Sequence, residues 1–290
     1  MSRWLAELPV GETLHVELRP GEVNIARRPA LWWRAAPPAR SIKVAADASP
    51  GPQLRGSVEP WRPSVETLAL GLRGAGRRAG PVAVVLSDHF ARYVLLPWSE
   101  SLVTDAERLA FARHAFREVY GQASEGWEVC LDEQPAGRRS FAAAVDRELL
   151  SRLRDVVSQA RGQLVSVTPA LADCINRHRR VLTEPEFCLA TVEPGRITFA
   201  FRTSTGWTAV RGRRMDGALP EVLPTLLKQE AIASSVADAG TIYLCAAGLE
   251  DVPPFGVPGW KLVRLPQKRS PARGVRLSAL PLLSRLGLKG

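Results

Sequence analysis

The clearest pattern in the chain is two short segments in which apolar runs flank a Pro-Gly pair. One covers residues 187–202 around Pro194-Gly195, and the other covers residues 14–27 around Pro20-Gly21. Proline fixes one backbone torsion of a turn and glycine accepts the positive torsion beside it, so each segment predicts a β-hairpin. Both hairpins carry an acidic residue shortly before the turn. One hairpin opens each half of the chain, which predicts a duplicated fold with two similar lobes.

Downstream of each hairpin, apolar residues recur with periods that alternate between those of strands and of helices. Thr104 and Glu107 form a capping-box pattern, which predicts a helix that ends near Tyr120. In the second half, residues 219–236 have a helical pattern and 241–245 form an apolar strand. Three strands, a helix and then alternating strands and helices, found twice, indicate an α/β protein.

The same pattern suggests where the lobes begin and end. We expect a first lobe over residues 1–182, with an inserted subdomain over about 81–160. The second lobe covers 183–266, because charged and proline-containing residues interrupt the apolar pattern near 180–186. A basic tail follows over 267–290.

Composition narrows the class of protein. A chain of 290 residues with 46% apolar residues is long enough for about two domains with proper cores. The net charge of +10 raises the question of nucleic-acid binding. Arginine greatly outnumbers lysine, however, and the basic residues are scattered instead of forming one stripe with aromatic residues between them. We therefore expect no nucleic-acid partner; a basic adaptor is kept as an alternative that a gel shift at two salt concentrations would detect.

The four cysteines, Cys130, Cys174, Cys188 and Cys245, lie far apart in apolar surroundings. Because no CxxC or zinc-type Cys/His spacing occurs, we expect no metal site, and buried reduced thiols fit best. No signal peptide is evident, and no apolar run reaches the ~20 residues of a membrane helix. These features predict a soluble cytoplasmic protein.

Ser87-Asp88-His89 is the segment that most resembles a set of catalytic residues. Side chains that are neighbours in a turn point in different directions, and no GxSxG elbow accompanies them. Walker A, Rossmann glycine and HExxH patterns are also missing from the sequence. We therefore predict no catalytic residue.

With the hairpins and the alternation taken together, the chain resembles the actin-like ATPase superfamily, whose fold is two-lobed and ribonuclease H-like. More narrowly, it resembles the branch that contains PilM of type IV pilus assembly and the cytoplasmic part of GspL of type II secretion. Residues 82–120 carry the closest likeness, with a strand, a short turn, a second strand ending near proline and a Glu/Arg-rich helix in the order of that branch. The resemblance covers about the first 265 residues.

The resemblance implies a test of the phosphate-binding residues. In the superfamily, each lobe's first hairpin carries Asp-x-Gly followed by Ser or Thr, which hold Mg²⁺ and phosphate. Here the first hairpin has no glycine at that spacing and no hydroxyl, and the second has Glu in place of Asp. The positions that would be vestiges of a nucleotide site are Glu17, Gly21, Glu193, Gly195, Thr198 and Gly248.

Two eroded hairpins argue against turnover, because a misplacement of about 1 Å can cost ~100-fold in rate. We expect a pseudo-ATPase with no cofactor. An active ATPase or nucleotide-dependent switch that uses ATP and Mg²⁺ is the alternative.

The resemblance also implies a function and partners. It predicts a non-catalytic cytoplasmic scaffold at the inner-membrane face, which binds the short cytoplasmic tail of an inner-membrane assembly protein of the PilN or GspM kind. A motor ATPase is a further partner that it suggests. Large aromatic residues in or beside loops would anchor such a tail unless they belong to the core. These are Trp32, Trp33, Trp61 and Trp98.

The tail over 267–290 contains six basic residues and no acidic one. Leucines interspersed with arginines favour weak contact with anionic lipid. Pro271 and Pro281 break any long helix there, so we expect a flexible tail that the fold does not need.

Overall fold

The computed structural model describes residues 12–28, 40–43, 59–74, 78–132, 134–246 and 252–266. Within these residues, the strands form two sheets of five strands and one sheet of three. In chain order the elements are β1 (Thr13–Arg19), β2 (Glu22–Arg28), β3 (Arg40–Lys43), α1 (Arg62–Arg73), β4 (Gly80–Leu86), β5 (Ala91–Leu96), α2 (Asp105–Tyr120), a 3-10 helix (Gly121–Gly126), β6 (Trp127–Leu131), β7 (Ser140–Asp146), α3 (Arg147–Gln159), β8 (Gly162–Pro169), α4 (Ala170–His178), β9 (Phe187–Glu193), β10 (Arg196–Thr203), β11 (Gly206–Arg214), α5 (Leu219–Ala233), β12 (Gly240–Ala246) and β13 (Trp260–Arg264).

The first five-stranded sheet has the order β3-β2-β1-β4-β8. Strand β1 pairs antiparallel with β2 across the predicted Pro-Gly turn and parallel with β4 on its other side. The parallel pairing is made possible by α1, which lies between β3 and β4 in the chain and provides the crossover. Along β1, alternate residues are buried, and Leu14, Val16 and Leu18 form its core face.

The second five-stranded sheet repeats this plan with the order β11-β10-β9-β12-β13. Strand β9 pairs antiparallel with β10 and parallel with β12, and α5 now provides the crossover. The hairpin, the third strand, the helix and the parallel return strand therefore occur twice in the same order. The internal duplication that the two hairpins predicted is confirmed.

The two faces of the second sheet have different neighbours. One face packs against α5 and holds Cys188, Ile197 and Phe199 in the core. Because side chains alternate along a strand, Thr191 of β9 and Cys245 of β12 face the other way, and they are register partners. Helix α4 contacts β9 and brings Cys174 and His178 close to Cys245. This second face is the one that carries the candidate chemistry.

The third sheet has the order β5-β7-β6 and packs against α2 through an apolar cluster that includes Phe116, Val129 and Ala144. Helix α2 begins with the predicted capping box: the Thr104 side chain accepts from the Glu107 backbone N–H at 3.2 Å, and Glu107 accepts from the Thr104 backbone at 2.8 Å. Its end at Tyr120 also agrees with the sequence prediction.

The described chain divides into two compact units. One contains the chain up to Phe90 together with Asp146–Thr168, and the other contains Ala91–Val145 and the chain from Pro169 to the last described residue. The inserted subdomain expected over about 81–160 is therefore narrower in the structure. Strand β4 belongs to the first five-stranded sheet, and α3 belongs to the unit that contains that sheet. The insertion consists of the three-stranded sheet, α2 and the 3-10 helix, because β4 is needed as the parallel partner of β1.

Gly162 provides a test of the packing in the first unit. A Cβ added there would lie 2.9 Å from the backbone oxygen of Gly80 and 2.9 Å from the Cβ of Ala79. Moving these backbone atoms apart would cost free energy. We therefore expect Gly162→Ala to destabilise the protein by about 1–3 kcal/mol, measured as a lower Tm in thermal unfolding. Gly126→Ala is the matched control, because nothing lies within 4 Å of its Cβ position. Equal Tm values for the two variants would contradict this account of the packing.

Candidate functional site

The turn of the first hairpin consists of Pro20 and Gly21 alone. Gly21 has a φ of +82°, close to the value of about +80° at the third position of a type II turn. Ser64 lies inside helix α1, and its hydroxyl donates to the backbone oxygen of Arg19 at 2.9 Å. The helix thus fixes the hairpin through a buried serine.

The acidic residue of this hairpin pairs with an arginine of the same strand. Glu17 lies within strand β1, opposite Asn24, and forms an ion pair with Arg19 at 3.4 Å. The two side chains lie on the same face of the strand because they are two residues apart. The positive charge of Arg19 competes with any metal ion for the carboxylate.

The second hairpin has the same two-residue turn, and Gly195 has a φ of +73°. Glu193 ends strand β9 with only 8% of its surface exposed. Thr198 is 1% exposed, and its hydroxyl oxygen is buried without a hydrogen-bond partner. A buried hydroxyl cannot reach a bound phosphate unless the strand moves, so the group that resembles the family's phosphate-holding threonine is enclosed in the sheet.

Two arginines form a positive pair beside this hairpin. The guanidinium of Arg196 lies directly against the backbone of Gly212, and its Nε is buried without a hydrogen-bond partner. Burial lowers the pKa of Arg92 from its ordinary value, and the nearby charge of Arg196 lowers it further. An anion beside the two guanidinium groups would relieve their mutual repulsion.

The remaining predicted positions have different outcomes. Gly248, Trp32 and Trp33 lie outside the described residues. Trp61 is 3% exposed and its Nε1 donates to Asp146 Oδ2 at 3.1 Å, so its expected role as a partner anchor is wrong: it is a core residue. Trp98 is 44% exposed, which leaves its predicted role open.

Ser87-Asp88-His89 form the turn between β4 and β5. Ser87 and Asp88 are each 1% exposed, and the His89 backbone N–H donates to the Ser87 hydroxyl at 3.1 Å. The serine hydroxyl therefore accepts a hydrogen bond within the turn and is shielded from solvent.

A cleft that the sequence did not predict lies at the end of the second sheet farthest from the hairpin turn. It has a volume of about 390 Å³ and is bordered by the start of β9, the end of β10 and the segment after α5. The guanidinium carbon of Arg202 lies 5.8 Å from the Phe187 ring centroid, and Arg139 Nη1 donates to the backbone oxygen of Thr208 at 2.9 Å. We call it the Phe187 cleft; its lining includes Arg139, Glu186, Phe187, Arg202, Ser235 and Trp260.

Three potential metal ligands come together between α4 and β12. One donor atom each from Cys174, His178 and Cys245 lies within 4.8 Å of the other two. A hydrogen bond with Cys174 lowers the pKa of Cys245 to about 5, and the same bond together with burial raises the pKa of Cys174. The sequence predicted no metal site because it considered only the spacing of cysteines and histidines along the chain. The fold brings Cys245, on the distant strand β12, next to Cys174 and His178 on α4. The signal that could have been used is the i, i+4 spacing of Cys174 and His178 on a helix.

No protein-family profile and no curated protein sequence matches this chain. Solved structures are similar to it. The cytoplasmic domain of EpsL, an inner membrane component of the type II secretion system of Vibrio cholerae, has a TM-score of 0.57 and 11% identity, over 88% of this chain and 90% of that chain. A chain of the PilM-PilN type IV pilus biogenesis complex has a TM-score of 0.55 and 16% identity, over 83% of each chain.

A third similar structure is a Bacteroides thetaiotaomicron protein with an actin-like ATPase fold, with a TM-score of 0.53 and 9% identity, over 83% and 85% of the two chains. The chain is thus an α/β protein with the two-lobed actin-like ATPase fold. The resemblance to the PilM and GspL branch is confirmed as a likeness of fold. In the part of the chain that the structure describes, no helix is long and apolar enough to cross a membrane.

The buried hydroxyl of Thr198 can be tested by substitution. Valine has nearly the same shape, so Thr198→Val removes an unpaired polar group, and we expect an unchanged or higher Tm. In the control Thr208→Val, a hydroxyl that donates to the Phe201 backbone oxygen at 3.2 Å is lost. That variant should lose about 1 kcal/mol of stability. A Thr198→Val variant less stable than Thr208→Val would show that the Thr198 hydroxyl has a partner.

Proposed function

We propose that this protein is a non-catalytic scaffold of a type IV pilus or type II secretion-like machine, working in the cytoplasm at the inner-membrane face. The observation that carries the proposal is the extent of the structural likeness. It spans 88% of this chain and 90% of the EpsL cytoplasmic domain, and 83% of this chain and of the PilM-PilN complex chain. A likeness over nearly the whole of both chains favours a shared working unit over a shared subdomain.

The absence of turnover is the second part of the proposal. Phosphoryl transfer depends almost entirely on the positioning of phosphate, metal and water. Glu17 is neutralised by Arg19 at 3.4 Å, and the Thr198 hydroxyl is buried. Neither hairpin then supplies an available carboxylate together with an available hydroxyl, so a nucleotide would not be positioned for hydrolysis.

The partner is the cytoplasmic tail of an inner-membrane assembly protein of the PilN or GspM kind, since the similar PilM protein forms a complex with PilN. In this proposal the tail binds in the Phe187 cleft, whose volume of about 390 Å³ suits a few side chains of an extended peptide. The partly exposed Trp260 ring offers apolar contact, and Arg139 and Arg202 offer charge-assisted hydrogen bonds to acidic side chains or to the carbonyl groups of a peptide.

Two further contacts complete the proposed assembly. Trp98, exposed after β5, is a second anchor for a partner such as a motor ATPase. The basic residues of 267–290 add a weak attraction to anionic lipid.

One observation favours a second candidate function. The pair formed by Arg92 and Arg196 lies beside the second hairpin, and Arg196 Nε has no hydrogen-bond partner. A phosphate-containing ligand held there without hydrolysis would make the protein a nucleotide-dependent switch.

An assay of phosphate release from ATP with Mg²⁺ tests the non-catalytic proposal. We expect the wild-type protein and Glu193→Ala to give the same rate, at the level of buffer, because the hairpins do not position phosphate and metal. A clear wild-type rate that Glu193→Ala abolishes would contradict the proposal and identify an ATPase.

Co-purification from native membranes tests the partner. The tagged wild-type protein should retain an inner-membrane protein with a short cytoplasmic tail, and a synthetic peptide of that tail should then bind with measurable affinity by fluorescence anisotropy. Arg202→Glu should weaken peptide binding by about tenfold or more, since it reverses a charge in the cleft.

Arg211→Glu is the matched control, because it makes the same charge change on an exposed position of the same sheet, outside the cleft. Equal loss of binding in the two variants would assign the effect to net charge and contradict the Phe187 cleft as the binding site.

A further inference from the structure

We propose that Cys174, His178 and Cys245 form a binding site for a thiophilic divalent cation, with Zn²⁺ as the expected ion. Their three donor atoms lie within 4.8 Å of one another. Cys174 is 4% exposed and His178 is 5% exposed, while Cys245 is partly buried. The inference does not depend on the scaffold function, because it rests on a different set of side chains.

The backbone holds these ligands on two regular elements. Cys174 and His178 are one turn apart on α4, so their side chains lie on the same face of the helix. Cys245 is in β12, which lies between β9 and β13 and pairs with both. All three belong to the same compact unit. Ligands on a hydrogen-bonded strand and a packed helix are positioned before the cation arrives, which lowers the entropy cost of binding.

The geometry is close to that of a tetrahedral zinc site. With Zn–S distances near 2.3 Å and Zn–N distances near 2.0 Å, tetrahedral donor atoms are about 3.5–3.8 Å apart. The present separations of at most 4.8 Å would have to close by about 1 Å, which small side-chain rotations can achieve. Two sulfurs and one imidazole favour Zn²⁺ over Mg²⁺ or Ca²⁺, which prefer oxygen ligands. Binding would displace the thiol proton of Cys174.

His178 distinguishes a cation site from a simple thiol pair. Its Nε2 is buried and has no hydrogen-bond partner, which is costly for a polar atom in a protein interior. A bound cation would accept the lone pair of this Nε2 atom and so give it a partner. The His178 side chain also forms a hydrogen bond with Cys245, so the imidazole belongs to the same cluster as the two sulfurs.

The fourth coordination position falls to water, because the nearest acidic side chain on the helix is already engaged. The Asp173 carboxylate pairs with the guanidinium of Arg177, one turn farther along α4. A bound cation would join α4 to β12, so its effect would be to fix the helix on the sheet.

Titration of the full-length, reduced and chelator-treated protein with Co²⁺ tests the site. We expect one Co²⁺ per chain, with the intense visible absorption of a tetrahedral thiolate site, displaced by one equivalent of Zn²⁺. Cys174→Ala and Cys245→Ala should weaken binding by more than about 100-fold, since even changes outside the ligand shell cost about 10–100-fold. His178→Ala should weaken binding and change the visible spectrum.

Cys188→Ala is the matched control. Cys188 is a fully buried cysteine of the same sheet that faces α5, so its loss should leave Co²⁺ binding unchanged. In the wild-type protein and this control, Zn²⁺ at 100 times its Kd should raise the Tm by roughly 5–10 °C. Circular dichroism confirms that each variant is folded.

A further measurement on the wild-type protein tests the site even if the cysteine variants do not fold. Bound Zn²⁺ should protect Cys174 and Cys245 from alkylation by iodoacetamide, read out by peptide mass spectrometry. The proposal is overturned if the reduced protein binds no Co²⁺, if binding persists in both Cys174→Ala and Cys245→Ala, or if Zn²⁺ gives no protection and the two cysteines form a disulfide instead.

Discussion

The parallel pairing of each hairpin's first strand with the strand that returns after a helix is the constraint on which this structure depends. It occurs as β1 with β4 and as β9 with β12, and in each case the two-residue turn fixes the register of the hairpin beside it. A slip of one residue would move Ile197 and Phe199 from the core to the opposite face. The cost of exposing two large apolar side chains enforces the register throughout the second sheet.

The same register decides where chemistry can occur. Thr198, Thr191 and Cys245 follow one another across β10, β9 and β12 as register partners, and they lie on the face opposite α5. The strand register therefore places both the buried Thr198 hydroxyl and the cluster of Cys245 with Cys174 and His178 on this face. A cation that fixes α4 on this face would also keep the helix over β9, the first strand of the second hairpin. The face would then serve stability instead of nucleotide chemistry.

Local patterns predicted the parts of the fold that depend on local physics. The Pro-Gly turns are correct because proline and glycine set the backbone torsions directly, and the capping box of Thr104 and Glu107 is correct because its partners are three residues apart. The hydrogen bond from the Ser64 hydroxyl to the backbone oxygen of Arg19 could not be predicted in this way, because only the tertiary structure supplies that partner. Trp61 was misjudged for the same reason, since its hydrogen bond to Asp146 spans distant parts of the chain.

The candidate sites were less predictable than the fold. Clusters such as that of Cys174 with Cys245, and clefts bordered by several strand ends, depend on the sheet order, which a single sequence does not reveal. The departure of the two hairpins from the Asp-x-Gly pattern is visible in the sequence, because each hairpin is contiguous. The sequence could not give the burial of Thr198 or the pairing of Glu17 with Arg19, and the proposal of a non-catalytic protein rests on both.

The chain has the actin-like fold, and we propose that its hairpins do not hold a magnesium nucleotide. Isothermal titration calorimetry of the full-length protein with ATP, in the presence and absence of Mg²⁺, tests this most directly. The account predicts no saturable heat that depends on Mg²⁺. Binding of one ATP per chain that requires Mg²⁺ and disappears in Glu193→Ala would contradict it.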